Sequence, residues 1–226
     1  MATTQIPVVG SSRPESQLTG FAEGRATRAL LVPVKSFRAA KLRLAPVLDA
    51  LQRAELARSL AAGVLRAAAG LERYVVCDDD EVASWASSLG AQVIWTPGLG
   101  LSGAVESGVA SLADAGFALA VIAHSDLPNP EGVATLGEPD RVSLVPDLRS
   151  DGTNVAVVPT SAGFRFSYGA GSFERHRREA KRLGLACEVV RHPGLAADVD
   201  VPGDLAHVTA AQLARARAAS QASQAS

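Results

Sequence analysis

The sequence predicts a three-layer α/β/α domain with a mostly parallel sheet, on three observations. Short apolar runs alternate with longer amphipathic stretches along residues 28–209, as strands joined by helical crossovers do. Residues 118–123 form an unbroken apolar run, typical of a strand buried on both faces. That run leads to Asp126, and in open α/β sheets ligands bind beyond the carboxyl ends of the strands.

The composition excludes several classes of protein. A net charge of −1 over 226 residues gives no general attraction to nucleic acid or to a membrane surface. No apolar run approaches the roughly 20 residues that span a bilayer. Cys77 and Cys187 lie far apart without metal-type spacing. We therefore expect a cytoplasmic protein without nucleic-acid or membrane partners, and the alanine-rich surface leaves a homodimer open.

The elements follow in order between two segments of low complexity. Residues 1–27 are expected to be a flexible N-terminal arm and residues 210–226 a fraying C-terminal tail, because neither shows periodicity. The predicted strands cover residues 29–34, 74–77, 91–95, 118–123, 142–146, 155–158 and 186–190. The predicted helices cover residues 50–69, 80–89, 104–115 and 172–184, with short ones after Pro130 and Pro202.

The helix predictions depend on periodicity and on end signals. Leu56, Leu60 and Val64 recur every fourth residue and form one apolar face of the first helix. Ser172 is the expected N-cap of a later helix, which Gly184 ends.

Two groups of carboxylates could bind a divalent cation. Asp198 and Asp200 point to the same side of an extended segment, and with Asp126 they would form an oxygen site suited to Mg²⁺. From spacing alone, solvated or helix-capping roles for the pair remain open. The run 78–80 consists of three aspartates, for which we favour a helix cap at Asp80 over a metal site.

The loop after the first strand carries four cations, which a triphosphate would need: Lys35, Arg38, Lys41 and Arg43. A solvated basic loop is an equal alternative on this cluster alone. A glycine-rich turn at residues 97–103 leads into a helix and could contact a nucleotide through its backbone. The P-loop and GxGxxG patterns are absent, so an ordinary Walker or Rossmann site is excluded.

Thr153, Gly169 and Ser172 could form a cradle for an anion. Hydroxyl groups donate hydrogen bonds, and glycine allows close approach of the backbone. Ser172 could equally be only a helix cap. We interpret His176 as structural or solvated, and Arg175, with the basic residues that follow it, as a solvated helix face.

An ordered set of motifs resembles the guanylyltransferases of coenzyme F-420 biosynthesis. These enzymes join GTP to 2-phospho-L-lactate, phosphoenolpyruvate or 3-phosphoglycerate. The resemblance covers about residues 29–208 and is carried by Leu31-Val32-Pro33-Val34-Lys35, Ala40-Lys41-Leu42-Arg43-Leu44, Asp126-Leu127-Pro128, Asp151-Gly152-Thr153-Asn154, Tyr168-Gly169 through Ser172-Phe173 with His176, and Asp198-Val199-Asp200.

The resemblance implies a nucleotidyltransferase (GT-A-like) fold and a role for each motif. It implies Mg²⁺ at Asp126, Asp198 and Asp200, and an acceptor pocket at Thr153, Gly169 and Ser172. It implies a nucleotide site at Lys35, Lys41, Arg43, Gly100, Ser102 and Asp126. The catalytic residues would be Asp126, Lys35 and Lys41.

Two positions depart from the family pattern. Ser125 stands where the family usually has glycine, and Ser102 stands where it usually has asparagine. Transfer to another acceptor, such as a molybdopterin or a sugar phosphate, and a non-catalytic nucleotide-binding protein are the alternatives to phospho-acid guanylyl transfer.

Overall fold

The computed structural model describes residues 28–224, so the arm predicted for residues 1–27 lies outside the described residues. The strands within this range are β1 (Arg28–Pro33), β2 (Glu72–Cys77), β3 (Gln92–Trp95), β4 (Leu119–Ala123), β5 (Arg141–Pro146), β6 (Thr153–Pro159) and β7 (Ala186–Val189). The helices are α1 (Ala50–Ala67), α2 (Asp80–Ser88), α3 (Gly100–Asp114), α4 (Ser172–Arg182), α5 (Pro193–Ala196) and α6 (Ala210–Gln224). None of them is both long and apolar enough to cross a bilayer.

The strands form one sheet in the order β3-β2-β1-β4-β6-β5-β7. β1 pairs in parallel with β2 and β4, β2 with β3, and β5 with β7. β6 runs antiparallel to both of its neighbours, β4 and β5. The prediction of a mostly parallel sheet is confirmed. The reversal at β6 also brings its first residues to the edge at which β1 and β4 end.

Helices cover both faces of the sheet, which confirms the three predicted layers. Val121 of β4 packs in the cluster that contains Val64 of α1, on one face. Ile122, the next residue, packs on the other face in the cluster that contains Leu112 of α3. Residues 119–123 are all fully buried, because successive side chains of a strand point into the two opposite layers.

A third apolar cluster lies between α1 and α6. Leu56 and Leu60 of α1 are fully buried against Ala216 of α6, and Leu213 packs beside them. This corrects the expectation of a fraying tail: Ala210–Gln224 is helical and covers the side of α1 that carries Leu56 and Leu60. Composition alone could not indicate this, because an alanine-rich helix gains stability here from packing and not from its own sequence pattern.

Helix starts differ from the prediction at the site. α3 begins at Gly100 and not at residue 104, so Gly100 and Ser102 lie in its first turn. α4 has Gly171 as its N-cap, with Ser172 as the first helical residue. Gly171 has a φ of 72°, in the left-handed region that glycine adopts without strain. The predicted Ser172 cap is therefore wrong.

The N-cap of α2 is also one residue earlier than predicted. The amide of Val82 donates to Asp79 Oδ1 at 3.0 Å, which makes Asp79 the cap and places Asp80 in the first turn. The short helices predicted after Pro130 and Pro202 are 3₁₀ helices at Val133–Thr135 and Pro202–His207.

Candidate active site

The residues predicted for the site gather at one edge of the sheet. Lys35 follows β1, Asp126 follows β4, and Thr153 begins β6. β1 and β4 are parallel, whereas β6 enters the same edge from the opposite direction. Ligands bind at this edge in open α/β sheets because the loops there diverge and leave a crevice.

Lys41 and Asp126 form a largely buried ion pair at the centre of this edge. Lys41 Nζ donates a hydrogen bond to Asp126 Oδ2 at 2.6 Å, and the two side chains are 9% and 21% exposed. Burial alone would raise the pKa of the Asp126 carboxyl, but the Lys41 charge and hydrogen bond hold this pKa below its usual value. Lys41 adopts a left-handed backbone conformation with a φ of 55°, which is uncommon for a residue with a Cβ atom.

The other oxygen of Asp126 has no partner. Asp126 Oδ1 is buried, and residues 28–224 provide it with no hydrogen bond; the same is true of Nε2 of His124. Burial lowers the pKa of His124, so its imidazole is neutral at neutral pH. Because buried polar atoms are almost always paired, these two atoms retain hydrogen-bonding capacity for a ligand or an ordered water. His124 was not among the site residues predicted from the sequence.

Asp198 lies close enough to Asp126 for the two charges to interact. Burial and the charge of Asp126 raise the pKa of Asp198 to about 6. Asn154 of β6 holds the preceding segment, since its Nδ2 donates to the carbonyl oxygens of Leu195 and Ala196 at 3.1 and 2.9 Å.

Asp200 has a partner of its own. Arg43 Nη1 lies 2.9 Å from Asp200 Oδ2, and both side chains are largely exposed. Within the described part of the chain, no three His, Cys, Asp or Glu side chains are grouped so that they could hold one metal ion. The structure therefore brings Asp126 and Asp198 into interaction, while Asp200 is engaged by an arginine expected to contact the nucleotide.

Three adjoining cavities run along this edge. The central cavity, about 270 Å³, is lined by Lys35, Lys41 and Asp126. The β2-side cavity, about 370 Å³, shares Lys35 with it and extends to Asp78 and Gly100. The acidic cavity, about 440 Å³, shares Asp126 with the central one and contains the aspartates Asp147, Asp151, Asp198, Asp200 and Asp204. Asp126 thus lies between the cation-lined central cavity and the acidic cavity.

Thr153, Gly169 and Ser172 all line the acidic cavity, as a shared cradle requires. Thr153 and Ser172 are buried, and the amide of Ser172 donates to the carbonyl oxygen of Gly169 at 2.9 Å. Gly169 has a φ of 108°, a conformation that a residue with a side chain would adopt only under strain.

Arg175 organises the loop that contains Gly169. Its guanidinium donates to the carbonyl oxygens of Ser167 and Ala170 at 2.9 and 2.6 Å, and to the Ser167 hydroxyl at 2.8 Å. The interpretation of Arg175 as part of a solvated face is therefore wrong. No residue pattern indicates this role, because the carbonyl groups that Arg175 binds come from backbone turns.

Ser102 supports the same loop. Its hydroxyl accepts a hydrogen bond from the amide of Tyr168 at 3.0 Å. Gly100, two residues earlier, lines the β2-side cavity. A contact between Ser102 and a nucleotide stays a prediction.

His176 is fully buried beside Thr153. Its Nδ1 lies 3.0 Å from Thr153 Oγ1, and its Nε2 accepts a hydrogen bond from the amide of Ser167 at 3.0 Å. Burial lowers the pKa of His176 to about 4, so the ring is neutral at neutral pH. The contact between His176 and Thr153 was not predicted, because the two residues lie on different elements.

The fold belongs to the α/β nucleotidyltransferase class. The chain superimposes on a nucleotidyl transferase from Methanothermobacter thermautotroptrophicus with a TM-score of 0.59 at 14% identity, covering 84% of this chain and 99% of that one. At this identity the likeness shows the fold alone.

Sequence similarity then identifies the family: residues 28–211 match the model of the guanylyl transferase CofC-like proteins, and the chain belongs to that family. It is 37% identical over 189 residues to the phosphoenolpyruvate guanylyltransferase of Rubrobacter xylanophilus. The aligned region covers 80% of this chain and 92% of that protein. It is 31% identical over 191 residues to the 3-phospho-D-glycerate guanylyltransferase of Phenylobacterium zucineum, covering 79% and 88%. The resemblance inferred from the motifs is confirmed.

Proposed function

We propose that this protein transfers a guanylyl group from GTP to a small phosphorylated carboxylic acid and releases pyrophosphate, as a step of coenzyme F-420 biosynthesis. Phosphoenolpyruvate, 2-phospho-L-lactate and 3-phosphoglycerate are the candidate acceptors. The observation that carries the proposal is the unpartnered Oδ1 of Asp126 between the central and acidic cavities. A nucleotide in one cavity and an acceptor in the other would meet at this carboxylate.

The reaction is an in-line displacement at the α-phosphorus of GTP. A phosphate oxygen of the acceptor forms the new P–O bond, and the bond to pyrophosphate breaks. A phosphate monoester has a second pKa near ~6 and is already largely a dianion at neutral pH, so no general base is needed. Catalysis then depends on positioning and on neutralising charge. Burial lowers the pKa of His124 and of His176, which makes both weak proton acceptors and agrees with such a mechanism.

The cations supply this neutralisation. Lys41 already lies 2.6 Å from Asp126 and would stabilise the triphosphate in the central cavity. Lys35, which is exposed between the central and β2-side cavities, would contact the departing pyrophosphate. Arg43 would also contact the pyrophosphate when its ion pair with Asp200 opens.

Asp126 and Asp198 are the residues that would hold Mg²⁺, with Asp200 as a third candidate. The fit is favourable: one oxygen of Asp126 has no partner, and burial together with the charge of Asp126 raises the pKa of Asp198, so a cation between the two carboxylates would favour the charged form. Bound Mg²⁺ supplies charge stabilisation to the phosphoryl oxygens.

The β2-side cavity suits the guanine base. Its walls are largely apolar, with Val76 and Leu101 among them, and Asp78 is a carboxylate among its lining residues. A carboxylate accepts the two parallel N–H bonds that guanine offers at N1 and N2. Adenine presents a lone pair at N1, so the same carboxylate would repel it.

The experiment is pyrophosphate release with Mg²⁺ and GTP, offered each of the three acceptors in turn, with ATP as the control nucleotide. We expect release with GTP and at least one acceptor, and its loss in EDTA. Asp126→Asn should abolish turnover while circular dichroism shows an intact fold. The absence of pyrophosphate release with all three acceptors would contradict the proposed substrate class. Normal turnover by Asp126→Asn would contradict the assigned site.

A further inference from the structure

One ring nitrogen of His176 accepts a hydrogen bond and the other donates one, and a backbone amide determines which nitrogen is the acceptor. The amide of Ser167 donates a hydrogen bond to Nε2 at 3.0 Å, so Nε2 must carry a lone pair. A neutral imidazole has its single proton on the other nitrogen. The proton of His176 therefore lies on Nδ1, as assigned from this network of hydrogen bonds.

This tautomer determines the role of the Thr153 hydroxyl. Nδ1–H of His176 must donate to Thr153 Oγ1, 3.0 Å away. The hydroxyl proton of Thr153 cannot return that bond and remains available to another acceptor. In the described part of the chain, His176 is the one hydrogen-bond partner of Oγ1. Thr153 lines the acidic cavity, which is where the proposed acceptor would meet this hydroxyl.

The imidazole is held rigidly in this orientation. The rings of Phe164, Phe166 and Tyr168 surround it, with centroids 5.9, 5.8 and 5.0 Å from its own. A ring flip would place carbon atoms where both hydrogen bonds now form, in a site that water does not reach. The Thr153 hydroxyl is thus kept from donating to His176 before any ligand arrives.

An anionic acceptor gains from such a donor, because aspartates outnumber the two arginines, Arg43 and Arg149, that line the acidic cavity. Aspartates of several loops line this cavity, and a hydroxyl free to rotate could present a lone pair to the ligand instead of a proton. A hydroxyl that already accepts from His176 has fewer orientations to lose when it donates to the anion.

We propose that His176 is a positioning residue for the acceptor: it receives Ser167 N–H at Nε2, donates through Nδ1 to Thr153, and thereby directs the Thr153 hydroxyl to donate to the acceptor's carboxylate or phosphate. This inference rests on the proposed function, in which Thr153 contacts the acceptor.

Two substitutions of His176 separate positioning from folding. His176→Gln places an amide oxygen where it can accept the Ser167 amide but leaves no donor for Thr153. His176→Asn retains an amide nitrogen near the position of Nδ1. We expect His176→Gln to raise the KM of the acceptor about tenfold with the KM of GTP unchanged, and His176→Asn to raise it less. Equal changes in both KM values would indicate a structural role and overturn the proposal.

A double-mutant cycle with Thr153→Val gives the decisive comparison. If His176 acts through the Thr153 hydroxyl, His176→Gln has no further effect on the acceptor KM once the hydroxyl is gone. A tenfold increase in the Thr153→Val background as well would overturn the proposal.

The tautomer can be measured without activity. Nitrogen-15 NMR of the wild-type protein should show a neutral His176 protonated at Nδ1 at pH 7; protonation at Nε2 would overturn the proposal even in an active enzyme. If the wild-type protein turned over no acceptor while the Nδ1 tautomer was observed, the proposed function would fail and the hydrogen-bond assignment would stand.

Discussion

At the scale of single residues, the two lysines assigned to the nucleotide differ in their surroundings. Lys41 is 9% exposed and ion-paired with Asp126, whereas Lys35 is exposed. We expect Lys41→Met to lower the free energy of unfolding by about 1–3 kcal/mol, because it leaves a mostly buried carboxylate unpaired. Turnover should also fall at least about 100-fold.

Lys35→Met is the matched control for this prediction. Its free energy of unfolding should stay within about 0.5 kcal/mol of the wild type, because no buried charge is left behind. The KM of GTP should rise. Urea denaturation and steady-state kinetics measure both effects, and equal destabilisation by the two substitutions would refute the assigned role of the ion pair.

Asp198 is predicted to reduce stability in the metal-free protein. Its pKa is raised to about 6 in the folded state, so the protonated form favours folding and this contribution is lost as the pH rises through 6. In EDTA, Asp198→Asn should therefore raise the free energy of unfolding by about 1–2 kcal/mol at pH 7.5. The difference should shrink as the pH falls from about 6 toward 4.

Two controls accompany the Asp198 measurement. Mg²⁺ should stabilise the wild type more than the variant and narrow the gap between them. Asp114→Asn, at an exposed position near the end of α3, should show no pH-dependent gain. A variant less stable than the wild type at pH 7.5 would mean that the Asp198 carboxylate is not strained by its surroundings.

At the scale of elements, α6 is expected to be part of the folded domain. Ala216 is fully buried against α1, whereas Ala218 on the same helix is exposed. Ala216→Asp should lower the free energy of unfolding by about 2 kcal/mol, because it buries an unpaired charge. Ala218→Asp should change it by less than about 0.5 kcal/mol. Thermal unfolding distinguishes them, and equal behaviour would show that α6 is detached in solution.

The strands and the starts of α1, α2 and α4 were predictable, and the start of α3 was not. The apolar run 118–123 locates β4 to within one residue, since burial on both faces leaves a local signature. The start of α3 at Gly100 has no such signature, because the hydrogen bond from Tyr168 to Ser102 joins segments far apart in the sequence. Helix ends of this kind depend on what the rest of the chain packs against them.

At the scale of the whole molecule, ligand binding should raise the free energy of unfolding with the logarithm of ligand concentration over its dissociation constant. Mg²⁺ with GTP at 100 times its dissociation constant should add about 2.7 kcal/mol, and ATP much less. Asp78→Asn should narrow the difference between the stabilisation by GTP and that by ATP, because an amide can form hydrogen bonds with either base. Asp80→Asn should leave this difference unchanged. Thermal shift assays provide the comparison. An unchanged preference in Asp78→Asn would place base recognition elsewhere.

The sequence by itself determined the layers, the order of the strands along the chain and the family. Asp126, Asp198, Thr153, Gly169 and their motif spacing were sufficient to indicate the family, because side-chain periodicity and residue type are local properties.

Only the tertiary structure decided which of these residues act together. Lys41 and Asp126 are 85 positions apart, yet their ion pair forms because β1 and β4 are adjacent and parallel. The pairing of His176 with Thr153 likewise depends on α4 packing behind the start of β6. Such contacts follow from strand order and helix packing, which no short window of sequence encodes, and they convert separate polar residues into one site.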